Sequence, residues 1–292
     1  MISTTEQLEI LSVPAGTNTT QTTQIDIRCG DSVRQLLELP NNSVHLCVTS
    51  PPYDKLRTYG GVQWDFENTA RQLYRVLAPG GVVCWVVGDG VEDGSESLTT
   101  CKQKIFFREQ AGFRIHDTMI YAKTNFAHPE TARYHQVFEY VFVLSKGAPR
   151  VFNPIKDRPN VYAGKVGSYG INTFTRPDGS KGVRPRKINA EFGMRHNVWT
   201  GKTRGQEEGC NKLPHPAMMP QWLARDLILS WSSPGDTVID PFAGSCTTGI
   251  EAEKLGRKAI CIEINPGYCK SIDRDLCHDR TITSSAHIAA AL

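Results

Sequence analysis

Several signatures are missing from this chain of 292 residues, and each absence removes a class of protein. None of the nine cysteines falls in a C-x-x-C pair, so neither a zinc ribbon nor a dithiol redox motif is written into it. Their odd number and scattered positions (29, 47, 84, 101, 210, 246, 261, 269 and 277) point to reduced thiols in a cytosolic protein. No apolar run approaches the roughly 18 residues of a membrane span, and no membrane partner is expected. The opening MISTTEQLEI has neither the basic start nor the apolar stretch of a secretory signal. There is no G-x-x-x-x-G-K-[ST] loop, which excludes the usual cradle for NTP hydrolysis. The eight histidines include no H-x-x-x-H pair, so no metal centre is expected.

Net charge is also scarce, +3 over the whole chain, but that sum conceals a division. Between Arg150 and Leu213 stand 13 Lys/Arg and 5 Asp/Glu, a local balance of +8. The rest holds 20 basic and 25 acidic residues, a balance of −5. A cationic island on an acidic protein suits a polyanionic partner such as nucleic acid, although a solvated basic surface has the same composition.

Periodicity divides the chain in the same place. Residues 1–24, rich in Thr and Gln, read as a flexible arm. From Ile25 strands and helices alternate. IDIRC is a strand, a helix starts after Asp31 or Ser32, and VHLCVT (44–49) is a continuous apolar strand. TARQLYRVLAPGG is an amphipathic helix stopped by Gly80-Gly81, and VVCWVV (82–87) is another buried strand. A helix over 98–113 and strands at HDTMIYAK and QVFEYVFVLSKG complete the first half, 25–147. Residues 148–213 show no sustained period, as functional insertions often do, and coincide with the cationic island. Regularity returns over 214–280 with helix LPHPAMMPQWLARDLILSW, strand TVID, loop PFAGSCTTG, helix IEAEKLG, strand KAICIEI and helix GYCKSIDRDLC. Residues 281–292 form a tail without pattern. The alternation predicts an α/β fold.

Two constellations carry chemistry. In VIDPFAGSCTTG (238–249) a buried strand ends at Asp240, and a tight glycine-containing loop through Pro241, Phe242, Ala243, Gly244, Ser245 and Thr247 leads into a helix. Glycine admits a ligand to the backbone, and a helix start offers free N–H groups. The next strand ends in Glu263, 19 residues after Gly244, where a carboxylate can accept from the hydroxyls of a ribose. The other constellation, Val48-Thr49-Ser50-Pro51-Pro52-Tyr53, follows the apolar strand directly. Consecutive prolines remove N–H donors and leave acceptors. The Ser50 hydroxyl and Pro51 carbonyl can accept from an exocyclic amino group, while Tyr53 offers a flat face to a planar base.

With both motifs in place, the chain resembles the S-adenosylmethionine-dependent amino-methyltransferases of DNA. Ser50-Pro51-Pro52-Tyr53 matches their catalytic [DNS]-P-P-[YFW], and Asp240 to Thr247 matches their D-P-F-x-G-S-G-T except at Cys246. The catalytic motif comes first, the order of the circularly permuted beta group. The resemblance covers roughly residues 25–280. It implies a Rossmann-like methyltransferase sheet in permuted motif order, with 148–213 as an inserted target-recognition region. It also implies S-adenosyl-L-methionine as cofactor and double-stranded DNA as partner, in the cytoplasm of a prokaryote or under a phage genome. A cognate restriction endonuclease, and either a monomer or a homodimer, are compatible with it.

By the same resemblance, Asp31 lies near the adenine and Phe242 touches the cofactor. His215 and Pro216, in the segment HPAMMP, pack on the cofactor's methionine end. Within the basic region Arg184, Arg186, Lys187 and Arg195 are candidates for phosphate or guanine contact. Its aromatics Tyr162, Tyr169, Phe174, Phe192 and Trp199 are expected to pack that region's own core. Serine at the head of the catalytic motif favours cytosine N4, with adenine N6 as the alternative. A C5-cytosine enzyme is disfavoured because no Pro-Cys pair is present. A DNA-binding relic decayed at Cys246 is the remaining reading. If position 246 needs positive φ, cysteine there carries strain of order 1 kcal/mol.

Overall fold

The computed structural model describes residues 25–52, 64–125, 131–166, 173–183, 188–203 and 218–272. The expected arm and tail lie outside the described residues. Ile25–Cys29 is the first strand (β1), followed by helix α1, Ser32–Leu37, which Asp31 caps by accepting from Arg34 N at 3.0 Å. Val44–Thr49 is β2, Phe66–Val76 is α2, Leu77–Val87 is β3 and Thr99–Glu109 is α3. Arg114–Lys123 is β4, Phe138–Ser145 is β5 and Val198–Gly201 is β6. The chain closes with α4, Gln221–Trp231; β7, Thr237–Asp240; α5, Thr247–Lys254; and β8, Lys258–Glu263. Residues 266–272 are helical again.

These eight strands form one sheet in the order β1-β8-β7-β2-β3-β5-β4-β6. Only β5 runs against the others, pairing antiparallel with β3 and with β4. Alternation within strands assigns side chains to two cores. Val83, Trp85 and Val87 face α1, α2 and α3, packing with Leu36, Leu73 and Phe107. Val82, Cys84 and Val86 face the other way, towards Leu223, Leu227 and Ile228 of α4. Coverage of both faces explains why VHLCVT reads as an unbroken apolar run. The buried Trp85 indole still finds a partner, donating to Gln103 Oε1 at 2.8 Å.

Three boundaries differ from the sequence reading. Helix α2 ends at Val76 rather than at Gly80-Gly81, because Lys146 reaches across to bind its terminal carbonyls, Tyr74 O at 2.9 Å and Leu77 O at 2.8 Å. A cation at a helix C-terminus is a favourable stop. Gly80 instead sits inside β3 at φ +77°, where a Cβ would lie 2.9 Å from that of Arg150. Helix α5 starts at Thr247, inside the glycine loop, with Cys246 in the capping position.

The third difference concerns the segment 148–213. Its end supplies the edge strand β6, which pairs parallel with β4 from Val198↔Ile120 to Gly201↔Lys123. Its start packs on α4: Phe152 stacks on Trp231 at 4.8 Å, and Asn153 N donates to Ser230 O at 2.8 Å. Between them lie short pairings of 158–159 with 192–193 and of 173–175 with 181–183. The described aromatics do not build a separate core there. Trp199 is buried within the α4 core, whereas Tyr162, Phe174 and Phe192 are exposed. Tyr169 lies outside the described residues.

Candidate active site

The two constellations come from chain segments almost 190 residues apart, and the sheet makes them neighbours. β7 pairs parallel with β2, Ile239 opposite Cys47, so Asp240 and Thr49 end adjacent strands at the same edge, about 4.8 Å apart. From this junction the chain winds outward in opposite senses, β7 to β8 on one side and β2 to β3 on the other. Such a switch point, at the carboxyl ends of parallel strands, is where open α/β sheets bind ligands.

Several hydrogen bonds close the junction. Thr49 Oγ1 donates to Asp240 Oδ1 at 2.6 Å, and Phe242 N donates to the same oxygen at 3.0 Å. Thr248 Oγ1 donates to Val48 O at 3.2 Å, fixing the start of α5 over β2. Ser32 Oγ donates to Pro241 O at 2.8 Å. Asp240 is buried, and that burial pushes its carboxyl up to about 6, against the opposing pull of Thr49 and Phe242.

Glu263 organises the glycine loop. Its Oε2 accepts from Gly244 N and its Oε1 from Asn265 N, both at 2.8 Å. Burial raises its carboxyl above the ordinary range while those N–H groups pull it down. A carboxylate has about four lone-pair sites, so two backbone donors leave capacity for ribose hydroxyls. Cys246 sits at φ +61°, the left-handed region, and its Sγ lies 2.9 Å from Cys261 Sγ. The strain anticipated for a residue in place of glycine is therefore present in the backbone.

One cleft joins the two motifs. Ser50 lines it together with Asp240, Phe242, Ala243, Gly244, Ser245 and Thr247. Met218, Met219 and Thr248 complete the lining. Both methionines belong to the HPAMMP segment. Its His215 and Pro216 lie outside the described residues, as does Tyr53. Pro51 is buried and Pro52 half-buried beside Ser50. Asp31 stands two residues beyond the end of β1, whose Cys29 pairs with Glu263, and caps α1 with its carboxylate.

Sequence reasoning gave Thr49, Thr248 and Trp64 no role in the site and took Ser32 only as a possible helix start. The ring of Trp64 meets Phe242 edge-on at 4.9 Å and Trp85 at 6.1 Å, supporting the loop from behind. Thr49 carried a signal, a lone hydroxyl at the end of an apolar strand, but its partner could not be read from spacing.

Of the proposed DNA contacts, Arg184, Arg186 and Lys187 lie outside the described residues. Arg195 is paired within the fold: it binds Asp157, and Asp226 at 2.8 Å, and its guanidinium lies 4.8 Å from the Trp199 ring centre. Asp226 is nearly buried on α4. No helix among the described residues is long and apolar enough to cross a membrane.

Comparison with known proteins gives consistent results. Residues 44–274 match a family model, of N6 and N4 type, described as DNA methylase. The orphan methyltransferase M.BamHII of Bacillus amyloliquefaciens is 47% identical over 232 residues, covering 78% of this chain and 86% of that protein. Among solved structures, the cytosine-N4-specific PvuII DNA methyltransferase superposes with a TM-score of 0.61 at 21% identity, over 85% of this chain and 84% of its own. The M1.HpyAVI–SAM complex superposes at 0.52 with 20% identity, over 86% and 99% of the respective chains.

Proposed function

The chain belongs to the DNA methylase family of N6 and N4 type, and on that premise we propose that it methylates the exocyclic N4 amino group of cytosine in duplex DNA. The observation that carries this reading is a cleft lined by both Ser50 and the glycine loop. When bound, S-adenosyl-L-methionine would supply an electrophilic methyl group, the pair of the broken S–C bond staying on sulfur as a neutral thioether. The residues present fit it: Glu263 suits a ribose, Gly244 at φ +53° presents backbone, and Met218 and Met219 offer apolar, polarisable walls.

The chain's own residues then have defined tasks. Ser50 Oγ and Pro51 O accept from the two amino hydrogens, pulling the nitrogen towards tetrahedral geometry and localising its lone pair. Tyr53 stacks on the extruded ring. The Thr49–Asp240 bond keeps both halves of the cleft at one spacing, and positioning of this kind contributes most of the rate. No covalent link to the enzyme is required. The amino proton released after attack passes to water or to an acceptor at the Ser50 end.

Duplex DNA is proposed to meet the basic region, with Arg184, Arg186 and Lys187 as its phosphate or base contacts. Arg195, already paired to two carboxylates, is proposed to hold that region on α4. The test uses purified protein, tritiated cofactor and unmethylated plasmid DNA, followed by digestion to nucleosides. Label in N4-methylcytosine is expected, and Ser50→Ala should lower it at least tenfold. Label in N6-methyladenine would move the reaction to adenine. DNA without label over many sequences would overturn the reading.

A further inference from the structure

Residues 131–137 lead into β5, and because β5 runs against the sheet its start lies at the carboxyl edge with the cleft. Register gives the height. Thr49 pairs with Trp85 and Trp85 with Phe142, so these three form one row across the sheet. Phe138 lies four residues further along β5, and Ser50 one residue beyond Thr49. At about 3.3 Å per residue, Phe138 therefore stands ~10 Å above Ser50 and two strand spacings, ~10 Å, to its side. The segment is held there at two points. Lys123 N donates to Val137 O at 2.6 Å, and Arg133 Nη2 donates to Gly94 O at 2.6 Å, in the hairpin that follows β3.

Tyr134 lies in sequence between these two anchors and is 100% exposed, a value no other large hydrophobic among the described residues reaches. Arg133 and His135 flank it. On the methyltransferase reading, an extruded base approaches the Ser50 cleft from this same carboxyl edge of the sheet. The stack it leaves loses two faces of contact, which an aromatic ring can restore in any sequence context.

We propose that Tyr134 enters the duplex at the target and fills the space vacated by the extruded base. The proposal rests on the DNA methyltransferase reading above. It assigns Tyr134 to duplex opening and leaves transfer itself to the cleft.

The experiment uses synthetic duplexes containing the site mapped by methylation-sensitive sequencing. In one the target base faces its normal partner; in the other it faces an abasic position, where extrusion is already favoured. Tyr134→Ala should lower kcat/KM at least tenfold on the paired duplex and stay within about threefold of wild type on the abasic one. Tyr134→Phe, which keeps the ring, should match wild type on both. Because the side chain is fully exposed, neither variant should alter folding. Equal loss on the two duplexes, or no loss on either, overturns the proposal. A wild-type protein that labels neither duplex overturns the transfer reading, and this proposal with it.

Discussion

Replacing Thr49 by valine deletes one hydroxyl at nearly constant volume and tests the bond that joins the two motifs. Asp240 is 5% exposed, and burial moves its carboxyl from 3.8 to about 6. At 1.36 kcal/mol per unit, this corresponds to about 3 kcal/mol of folding stability linked to that proton. The folded state binds the proton more tightly than the unfolded chain. The contribution is therefore complete below pH 4 and is lost as pH rises through 6. Above that the ionised carboxylate depends on its donors, and Thr49 Oγ1 at 2.6 Å is the shortest of those described. A hydrogen bond to a charged group contributes roughly 1.5–3 kcal/mol, one between neutral groups about 1 kcal/mol. Thr49→Val should therefore destabilise by about 2 kcal/mol at pH 8 and about 1 kcal/mol at pH 5. Urea denaturation of both proteins at the two pH values measures the difference, since every other titrating group is common to them. In an Asp240→Asn background the same substitution should cost the same at both pH values. A cost independent of pH in the wild-type background, or one larger at pH 5, would refute the reasoning.

Other substitutions separate the remaining roles. Glu263→Gln should weaken cofactor binding at least tenfold by calorimetry, since it removes the charge proposed to face the ribose and disturbs the Gly244 N–H; unchanged affinity would remove Glu263 from the proposed cofactor site. Arg195→Ala should cost about 2–3 kcal/mol in thermal or urea unfolding, because it strands the nearly buried Asp226, while leaving the salt dependence of DNA binding unaltered. The triple change Arg184→Ala, Arg186→Ala, Lys187→Ala should do the opposite. Stability should hold, and the slope of log affinity against log salt should fall by up to about 2.7 if all three neutralise phosphates. A slope unchanged by the triple variant would place the DNA face elsewhere.

What could be read from sequence depended on the range of the interaction responsible. Asp31 capping α1, the apolar run of β2 and the Asp240-to-Thr247 loop are local, and their residue types announce them. The end of α2 was not legible, because the group that stops it is Lys146, some 70 residues away. β6 was hidden inside an irregular, basic segment, since four residues at a sheet edge carry too short a pattern to register. By composition Trp199 is expected in a core of the basic region itself, and Arg195 on its DNA-facing surface. Both are instead tied to the sheet, Trp199 in the core beneath α4 and Arg195 to Asp226 of α4. The strain at Cys246 was legible as a departure from a motif, but its partner, Cys261, was visible only once β8 lay beside the loop.

The sheet order explains why a permuted chain still builds one site. The cleft needs only that β7 and β2 be adjacent, and three side-chain bonds secure this from three different elements: Thr49 to Asp240, Thr248 to Val48 O and Ser32 to Pro241 O. None of these depends on the chain being continuous between residues 52 and 218. The segment 148–213 leaves from β5 and returns through the edge strand β6, on the side of the sheet away from β8 and the glycine loop. Changes in that segment alter what lies over the far edge while leaving Glu263 and Gly244 in place. On the proposed reading, the basic segment 148–213 can vary with the DNA it meets, apart from residues such as Arg195 and Phe152 that are tied to α4. Only β3 stands between β2, which leads to Ser50, and β5, whose start carries the segment with Tyr134.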